Sequence, residues 1–256
     1  MAKVKQTVVI NSQKKLLEDV FCMWLHCPEI VKEAHGGQFL SLYSADGAKL
    51  LPRPISICEI DRENGNLCLV YRVVGAGTRE FSTYQAKDLI TVMGPLGNGF
   101  PQISPEKKVL LIGGGIGIPP MLQMAKELNC EKTAVLGYRD QLFLNHEFEP
   151  YGKVYVATED GSAGTRGNVL DAVRENGLLA DVILACGPTP MLRAVKEYGM
   201  KQKIETFLSL EEKMACGIGA CLACVCQSEE VDAHSHVHNK RICKDGPVFR
   251  AEEVTL

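Results

Sequence analysis

Met214-Ala215-Cys216-Gly217-Ile218-Gly219-Ala220-Cys221-Leu222-Ala223-Cys224 carries the strongest chemical signal in the chain. Three thiols spaced C-x4-C-x2-C, with Cys243 further on, let one loop wrap an inorganic cluster, and the spacing is that of plant-type two-iron, two-sulfur (2Fe-2S) sites. Gly217 and Gly219 free backbone N–H groups to point at the sulfurs. Cys216, Cys221, Cys224 and Cys243 are therefore the candidate ligands. Cys226 is a spare, since on an extended segment it would face the same side as Cys224. Zinc is the competing reading, because four thiolates also satisfy it, although these interposed glycines are atypical of paired C-x2-C knuckles. His234, His236 and His238 would share one face of an extended strand, but with the cysteines already supplying a full ligand set they read as an exposed hairpin tip. The other six cysteines are scattered and read as buried small residues.

A second chemical segment is Leu110-Leu111-Ile112-Gly113-Gly114-Gly115-Ile116-Gly117-Ile118-Pro119-Pro120, where an apolar strand hands over to a helix. Glycines there allow a pyrophosphate close to the backbone, and the helix N-terminus offers free N–H groups and a positive dipole end. The pattern is Gly115-x-Gly117-x-x-Pro120, with proline in place of the usual last glycine; proline suits a first helical turn. Three later segments end strands where open α/β sheets bind ligands: Gly137-Tyr138-Arg139-Asp140, Thr158-Glu159-Asp160-Gly161 and Cys186-Gly187-Pro188. The candidate NAD-binding residues are Gly115, Gly117, Pro120, Asp140, Asp160, Cys186, Gly187 and Pro188. Asp140 could accept from a ribose 2′-hydroxyl, whereas Arg139 would tolerate a phosphate there.

A third signal comes earlier. Arg53-Pro54-Ile55-Ser56 opens a strand, and Tyr71-Arg72-Val73-Val74-Gly75-Ala76-Gly77-Thr78 closes another. Arginines beside a hydroxyl and glycine-freed amides suit a flavin's pyrophosphate and ring edge. A solvated arginine and a glycine turn is the plainer reading of either motif alone.

The elements that must position these groups fall into three stretches. Lys5 to Asn11, Leu16 to His26, Gln38 to Tyr43, Arg53 to Asp61, Asn66 to Val74 and Leu89 to Met93 are short β-type runs punctuated by turns such as Glu63-Asn64-Gly65-Asn66, which predicts a small antiparallel barrel. After Pro105 the pattern changes to apolar strands (Val109 to Ile112, Ala134 to Gly137, Val154 to Ala157, Asp181 to Ala185) alternating with helices (Met121 to Leu128, Val169 to Asn176, Met191 to Tyr198), a doubly wound parallel sheet. From Leu210 onward the chain is loop-rich and cysteine-rich. The expected organisation is β plus α/β: an N-terminal antiparallel β-barrel carrying the flavin-type motifs over 1–102 (an FAD-binding barrel on the resemblance given below), a Rossmann-like domain carrying the dinucleotide loop over 103–209 and a cluster-binding segment over 210–256.

Composition excludes other classes. At 256 residues the chain can bury roughly 70–75% of its unfolded surface without disulfide staples. A net charge of −3 gives no electrostatic case for nucleic acid or an anionic membrane. The N-terminus has no apolar stretch long enough for a signal peptide, and Val109 to Met121 is too short to span a bilayer, so a soluble, cytoplasmic protein is expected.

In series, R-P-x-S, G-x-G-T, Gly94-Pro95-Leu96-Gly97, G-x-G-x-x-P and C-G-P resemble the ferredoxin-reductase superfamily over roughly residues 1–200. Ile55 stands where that superfamily usually has an aromatic residue. With Ser209-Leu210-Glu211-Glu212-Lys213 leading into the cysteine loop and Cys243-Lys244-Asp245-Gly246-Pro247-Val248-Phe249 closing it, the chain resembles, nearly end to end, the electron-transfer subunits of NAD-dependent dihydroorotate dehydrogenases. The stretch between Cys224 and Cys243 is longer than that family usually has. The resemblance implies FAD contacts at Arg53, Pro54, Ile55, Ser56, Val70, Tyr71, Arg72, Gly77 and Thr78, one 2Fe-2S cluster on the four cysteines, and NAD(H) as an exchangeable substrate. It also implies an FMN-containing catalytic partner, two copies of each chain per complex, and electrons passing from FMN through the cluster to FAD and on to NAD+ in pyrimidine synthesis. No catalytic residue for dihydroorotate is expected in this chain. The rivals are the small subunit of an NADH-dependent ferredoxin:NADP+ oxidoreductase and, in another class, a non-catalytic zinc or redox-sensing module.

Overall fold

The computed structural model describes residues 3–231 and 236–256. Six strands close a barrel: β1 (Val4–Lys15), β2 (Val20–His26), β3 (Phe39–Tyr43), β4 (Arg53–Asp61), β5 (Asn66–Arg72) and β6 (Leu89–Leu96), in the order β1-β2-β5-β4-β3-β6. All its pairings are antiparallel. Alternation decides which side chains enter it. Leu67, Leu69 and Tyr71 of β5 point into the barrel with Leu40, Leu42 and Ile57, whereas Cys68 and Val70 face outward into a second apolar cluster. The Glu63-Asn64-Gly65 turn forms as expected, with Asp61 accepting from Asn64 N–H at 3.1 Å and Gly65 at φ +66°. Two short helices sit between strands, α1 (Pro28–Glu33) and α2 (Ala76–Phe81).

The second sheet is built on β7 (Lys108–Gly114), followed by α3 (Ile118–Glu127), β8 (Glu131–Tyr138), β9 (Lys153–Thr158), β10 (Thr165–Arg166), α4 (Val169–Glu175), β11 (Val182–Cys186), α5 (Thr189–Gln202) and β12 (Glu205–Ser209). Its order is β10-β9-β8-β7-β11-β12-β15, parallel except at the last strand. The chain leaves β7 first toward β8 and later toward β11, so the strand order reverses beside β7 and opens a crevice at the carboxyl ends. The C-terminal segment adds the hairpin β13 (Val225–Gln227) and β14 (Asn239–Arg241), then β15 (Val248–Arg250), which pairs antiparallel with β12.

Helix α3 fastens the sheet to the barrel. Gln123 Oε1 accepts from Ile60 N–H at 2.8 Å, Glu127 Oε2 accepts from Gly36 N–H at 2.9 Å, and Lys126 pairs with Glu59. Beneath these polar ties lies a continuous apolar layer that includes Val20, Cys68 and Val70 of the barrel with Met121, Leu122 and Ala125 of α3. Among the described residues no helix is long and apolar enough to cross a membrane.

Candidate functional site

The cysteine loop is held open by two glycines in the left-handed region, Gly217 at φ +68° and Gly219 at φ +85°. Those kinks aim backbone donors at sulfur. Cys216 Sγ accepts from the N–H groups of Ile218 (3.4 Å) and Ala220 (3.3 Å), Cys243 Sγ from Gly219 (3.1 Å), and Cys224 Sγ from Cys243 (3.4 Å). The thiols meet in two pairs, Cys216 with Cys221 and Cys224 with Cys243. Burial works to raise the Cys216 thiol, but the N–H groups of Ile218 and Ala220 and its bond with Cys221 bring it down to about 7. Its bond with Cys243 brings Cys224 down to about 6, while Cys243 is pushed up by that same bond and by burial. Four sulfurs in two pairs, each pair touched by amide donors, fit a two-iron cluster.

Packing fixes this loop on the barrel. A Cβ on Gly217 would stand 3.0 Å from Ser41 Oγ on β3, and the fully buried Ser41 hydroxyl has no hydrogen-bond partner, an orphaned donor facing the loop. The buried Arg241 reaches from β14 to the Gly219 carbonyl (3.2 Å) and to Asp245 (3.1 Å). Asn98, just past β6, donates to the carbonyls of Lys244 and Asp245 at 3.2 Å each, so barrel and fourth ligand share one tie. Cys226 belongs elsewhere: its thiol donates to the Lys240 carbonyl at 3.5 Å and burial pushes it up to about 11. It occupies β13, which begins only after Cys224. His236 and His238 are exposed, and His236 at φ +57° is not extended, so these two do not line one strand face; His234 lies outside the described residues.

At one end of the barrel the register sets Ile57 opposite Leu69, so the start of β4 and the end of β5 come together. Arg53 lies across Gly77 so closely that a Cβ there would be 2.1 Å from its Nε. R-P-x-S and G-x-G-T thus meet in space, the cradle an anionic cofactor tail needs. Gly77 and Thr78 belong to α2 rather than to a strand end, and Thr78 Oγ1 accepts from the N–H groups of Val74 (3.0 Å) and Gly75 (3.2 Å). Pro54 and Ser56 alternate outward beside Ser41 and Phe39, whereas Ile55 packs inward. Val70 also faces outward, but Tyr71 points into the barrel, donating to Gln13 at 3.0 Å and stacked on Phe21. Only its backbone can face a ligand.

Between this barrel end and the carboxyl ends of β7, β8 and β11 lies a cavity of about 400 Å³. Arg72 lines it from the barrel, paired with Asp19 at 3.2 Å, and Gly115, Arg139, Asp140 and Pro188 line it from the sheet. Gly117 is not at the lining. A Cβ there would strike the Cys186 carbonyl at 2.3 Å, so this glycine lets the loop close on β11. Pro120 is buried in the first turn of α3. Cys186 and Gly187 sit behind Pro188, and burial pushes the Cys186 thiol up to about 12, an uncharged group. Asp160 is exposed and held below the usual carboxylate range by the Ser162 N–H and hydroxyl; it shapes a turn outside the cavity wall. Tyr138 lines the cavity within the Gly137–Asp140 strand end, as that segment suggested, whereas sequence reading missed Asn168 and Met191 in the lining. Asn168 had a legible signal, the Asn-x-x-Asp capping box of α4, in which it accepts from Leu170 N–H at 2.9 Å while Asp171 accepts from its own N–H.

Barrel, sheet and intervening cleft define a ferredoxin-reductase-like protein. This architecture is shared with a ferredoxin NADP+ reductase from Neisseria gonorrhoeae (TM-score 0.64, 16% identity, 77% of this chain and 91% of that one), a likeness of fold alone. An NADH-dependent reduced ferredoxin-NADP oxidoreductase structure is similar at TM-score 0.87 and 33% identity, covering 97% of this chain and 89% of that one. Residues 211–255 match the family described as the iron-sulfur cluster binding domain of dihydroorotate dehydrogenase B. Proteins named dihydroorotate dehydrogenase B (NAD(+)), electron transfer subunit, are 43% identical in Bacillus velezensis and 41% in Geobacillus kaustophilus, each over 98% of this chain and 99% of the relative. The chain belongs to this family of electron transfer subunits.

Proposed function

We propose that this chain carries electrons between an FMN-containing dihydroorotate-oxidising partner and NAD+, holding a 2Fe-2S cluster on Cys216, Cys221, Cys224 and Cys243 and FAD at the barrel end formed by Arg53, Pro54, Ser56, Val70, Arg72, Gly77 and Thr78. The observation that carries this reading is the cysteine loop itself, whose sulfurs take backbone N–H donors and which rests on the barrel wall at Ser41. When bound, FAD supplies the exchange between the single electrons of a cluster and the paired electrons of a nicotinamide hydride.

The remaining roles belong to the protein. Ile55 and the side chain of Tyr71 build the barrel rather than the flavin surface. Arg53 and Arg72 neutralise anionic cofactor groups, and the β7–α3 loop with Pro188 positions the nicotinamide nucleotide in the cleft, with Asp140 available to its ribose. Gly117, Pro120, Cys186 and Gly187 hold that loop in shape. Cys221 is exposed, and Ile218 and Leu222 beside it leave 44% and 38% of their surfaces in solvent, so the partner docks over this rim with the cluster at its centre. The assembly contains two copies of each chain and works in the cytoplasm.

Anaerobic absorption spectroscopy of the protein, co-expressed with its FMN partner, tests this. Dihydroorotate is expected to bleach flavin and iron–sulfur bands together. Bleaching by NADH or NADPH but never by dihydroorotate would assign the chain to the ferredoxin:NADP+ oxidoreductase reading, which the 33% identity to that structure makes the specific alternative.

A further inference from the structure

Three cysteines far apart in sequence converge on the barrel wall. Cys22 of β2, Cys68 of β5 and Cys58 of β4 lie on strands adjacent in the order β2-β5-β4, facing the apolar layer under α3. Cys22 Sγ and Cys68 Sγ are 3.3 Å apart. The ligand atoms of Cys58, Glu59 and Cys68 all lie within 4.8 Å of one another. Neighbouring residues on a regular strand point to opposite faces, so Cys58 and Glu59 could not ordinarily share a site. A β-bulge makes it possible: Ile57 pairs with Leu69 but Glu59 pairs with Cys68, so β4 carries one extra residue and re-aims both side chains. None of these residues lines the nucleotide cavity, and their apolar cluster is not the one that holds Cys224 and Cys243.

We propose that Cys22, Cys58, Cys68 and Glu59 form a second metal site that takes a thiophilic divalent cation of the zinc class. Three sulfurs and one carboxylate oxygen are the number and kind of donors a closed tetrahedral zinc site uses, and soft sulfur selects against magnesium and calcium. Two sulfurs each about 2.3 Å from a tetrahedral ion stand roughly 3.8 Å apart. Cys58, Glu59 and Cys68 are already grouped, whereas Cys22 lies outside that group, next to Cys68 at 3.3 Å, and completes the site by swinging toward the other two. Cys58 and Cys68 are buried and Cys22 is half-buried, while Glu59 sits at the lip with 19% of its side chain exposed. Lys126, paired with Glu59, and Lys14, opposite Cys22 on β1, offset the excess negative charge. On binding, three S–H bonds break, three metal–sulfur bonds and one metal–oxygen bond form, and three protons leave to solvent. The ion clasps three barrel strands beneath α3 and takes no part in the electron relay.

The test uses the complex with flavin and cluster loaded. Metal analysis after exposure to Zn2+ and removal of loosely bound ion is expected to give one zinc per chain in addition to the cluster iron. Cys22→Ala and Cys58→Ala lower zinc affinity at least a hundredfold in competition with a chromophoric chelator, Glu59→Gln lowers it about tenfold, and Cys130→Ala leaves it unchanged. Iron and flavin content report folding, and the half-buried Cys22 and the lip residue Glu59 keep the test sound if Cys58→Ala misfolds. Bound 113Cd2+ is expected to show the NMR shift of a three-sulfur, one-oxygen site. Absence of zinc in fully loaded complex overturns the proposal. So does zinc that survives Cys22→Ala but disappears with Cys221→Ser, or a Cys22–Cys68 disulfide in anaerobically prepared, zinc-exposed protein. Failure of dihydroorotate to bleach the chromophores would overturn the relay and leave this site standing.

Discussion

Two groups of cysteines sit on opposite sides of one barrel, and their surroundings differ in a single respect. In the C-terminal loop every thiol pair is touched by backbone N–H groups, and Cys216 and Cys224 are brought down to about 7 and about 6. On the β2-β5-β4 wall the thiols meet one another and apolar side chains: their shared bond raises Cys68 and lowers Cys22, and, against the bond that it makes with Cys68, burial raises Cys58. Proximity of sulfur is common to both. Amide donors distinguish them, because a loop can turn its N–H groups toward a side chain, whereas a strand has already committed its N–H groups to the ladder. A loop can therefore offer amide donors to charged sulfur, whereas a sheet offers none, and the site proposed on the wall depends on its cation alone.

The most severe way to break the comparison is Cys221→Ser. Because Cys221 is exposed, the fold is expected to survive; iron is lost, dihydroorotate-dependent NAD+ reduction falls to background, and NADH oxidation with artificial acceptors persists. Retained partner-linked turnover would show that the cluster lies off the electron path. Arg53→Ala separates flavin from both sulfur sites: losing charged hydrogen bonds worth about 1.5–3 kcal/mol weakens FAD binding by roughly ten- to hundredfold, read as flavin content after desalting. Arg241→Ala probes the loop's support. Removing one partner of a buried ion pair costs about 3–5 kcal/mol, reduced here to roughly 2–3 because Asp245 keeps 26% of its side chain exposed; a thermal melt measures it, with Arg241→Lys recovering part.

Smaller changes sharpen the contrast. Cys68→Val in metal-free protein adds about one methyl group to a packed wall and is expected to cost about 1–3 kcal/mol without loss of cluster iron, whereas Cys224→Val abolishes the cluster. Ser41→Ala removes the orphaned hydroxyl behind Gly217. If that hydroxyl donates toward the cluster, losing about 1 kcal/mol of bonding to its reduced form makes the cluster potential more negative by about 40 mV, measured by redox titration. An unchanged potential would place Ser41 outside the cluster's field.

What was legible in the sequence were features written locally. The C-x4-C-x2-C spacing, the glycine turn after β7 and the period-two alternation of the barrel each occupy one short stretch; the first falls in the segment that matches an iron-sulfur domain, and the other two mark a strand–helix turn and the barrel strands. The antiparallel edge strand β15 was not legible, because three residues carry no period. Helix α2 was hidden because its glycines read as the end of a strand. The convergence of Cys22, Cys58 and Cys68 depends on barrel order and on one bulge, neither of which spacing along the chain reveals. Side-chain direction was the other gap: Tyr71 sits in a motif stretch yet turns inward, a consequence of parity from Leu67 and Leu69 that only the register settles.

Helix α3 begins at the nucleotide loop and ends bolted to the barrel through Gln123, Lys126 and Glu127. One helix thus serves two masters: its first turn shapes the glycine loop beside the cleft, and its last turns are tied to the barrel. A substitution at Gln123 or Glu127, remote from the cavity lining, is therefore expected to be felt at the cleft as well as in the fold.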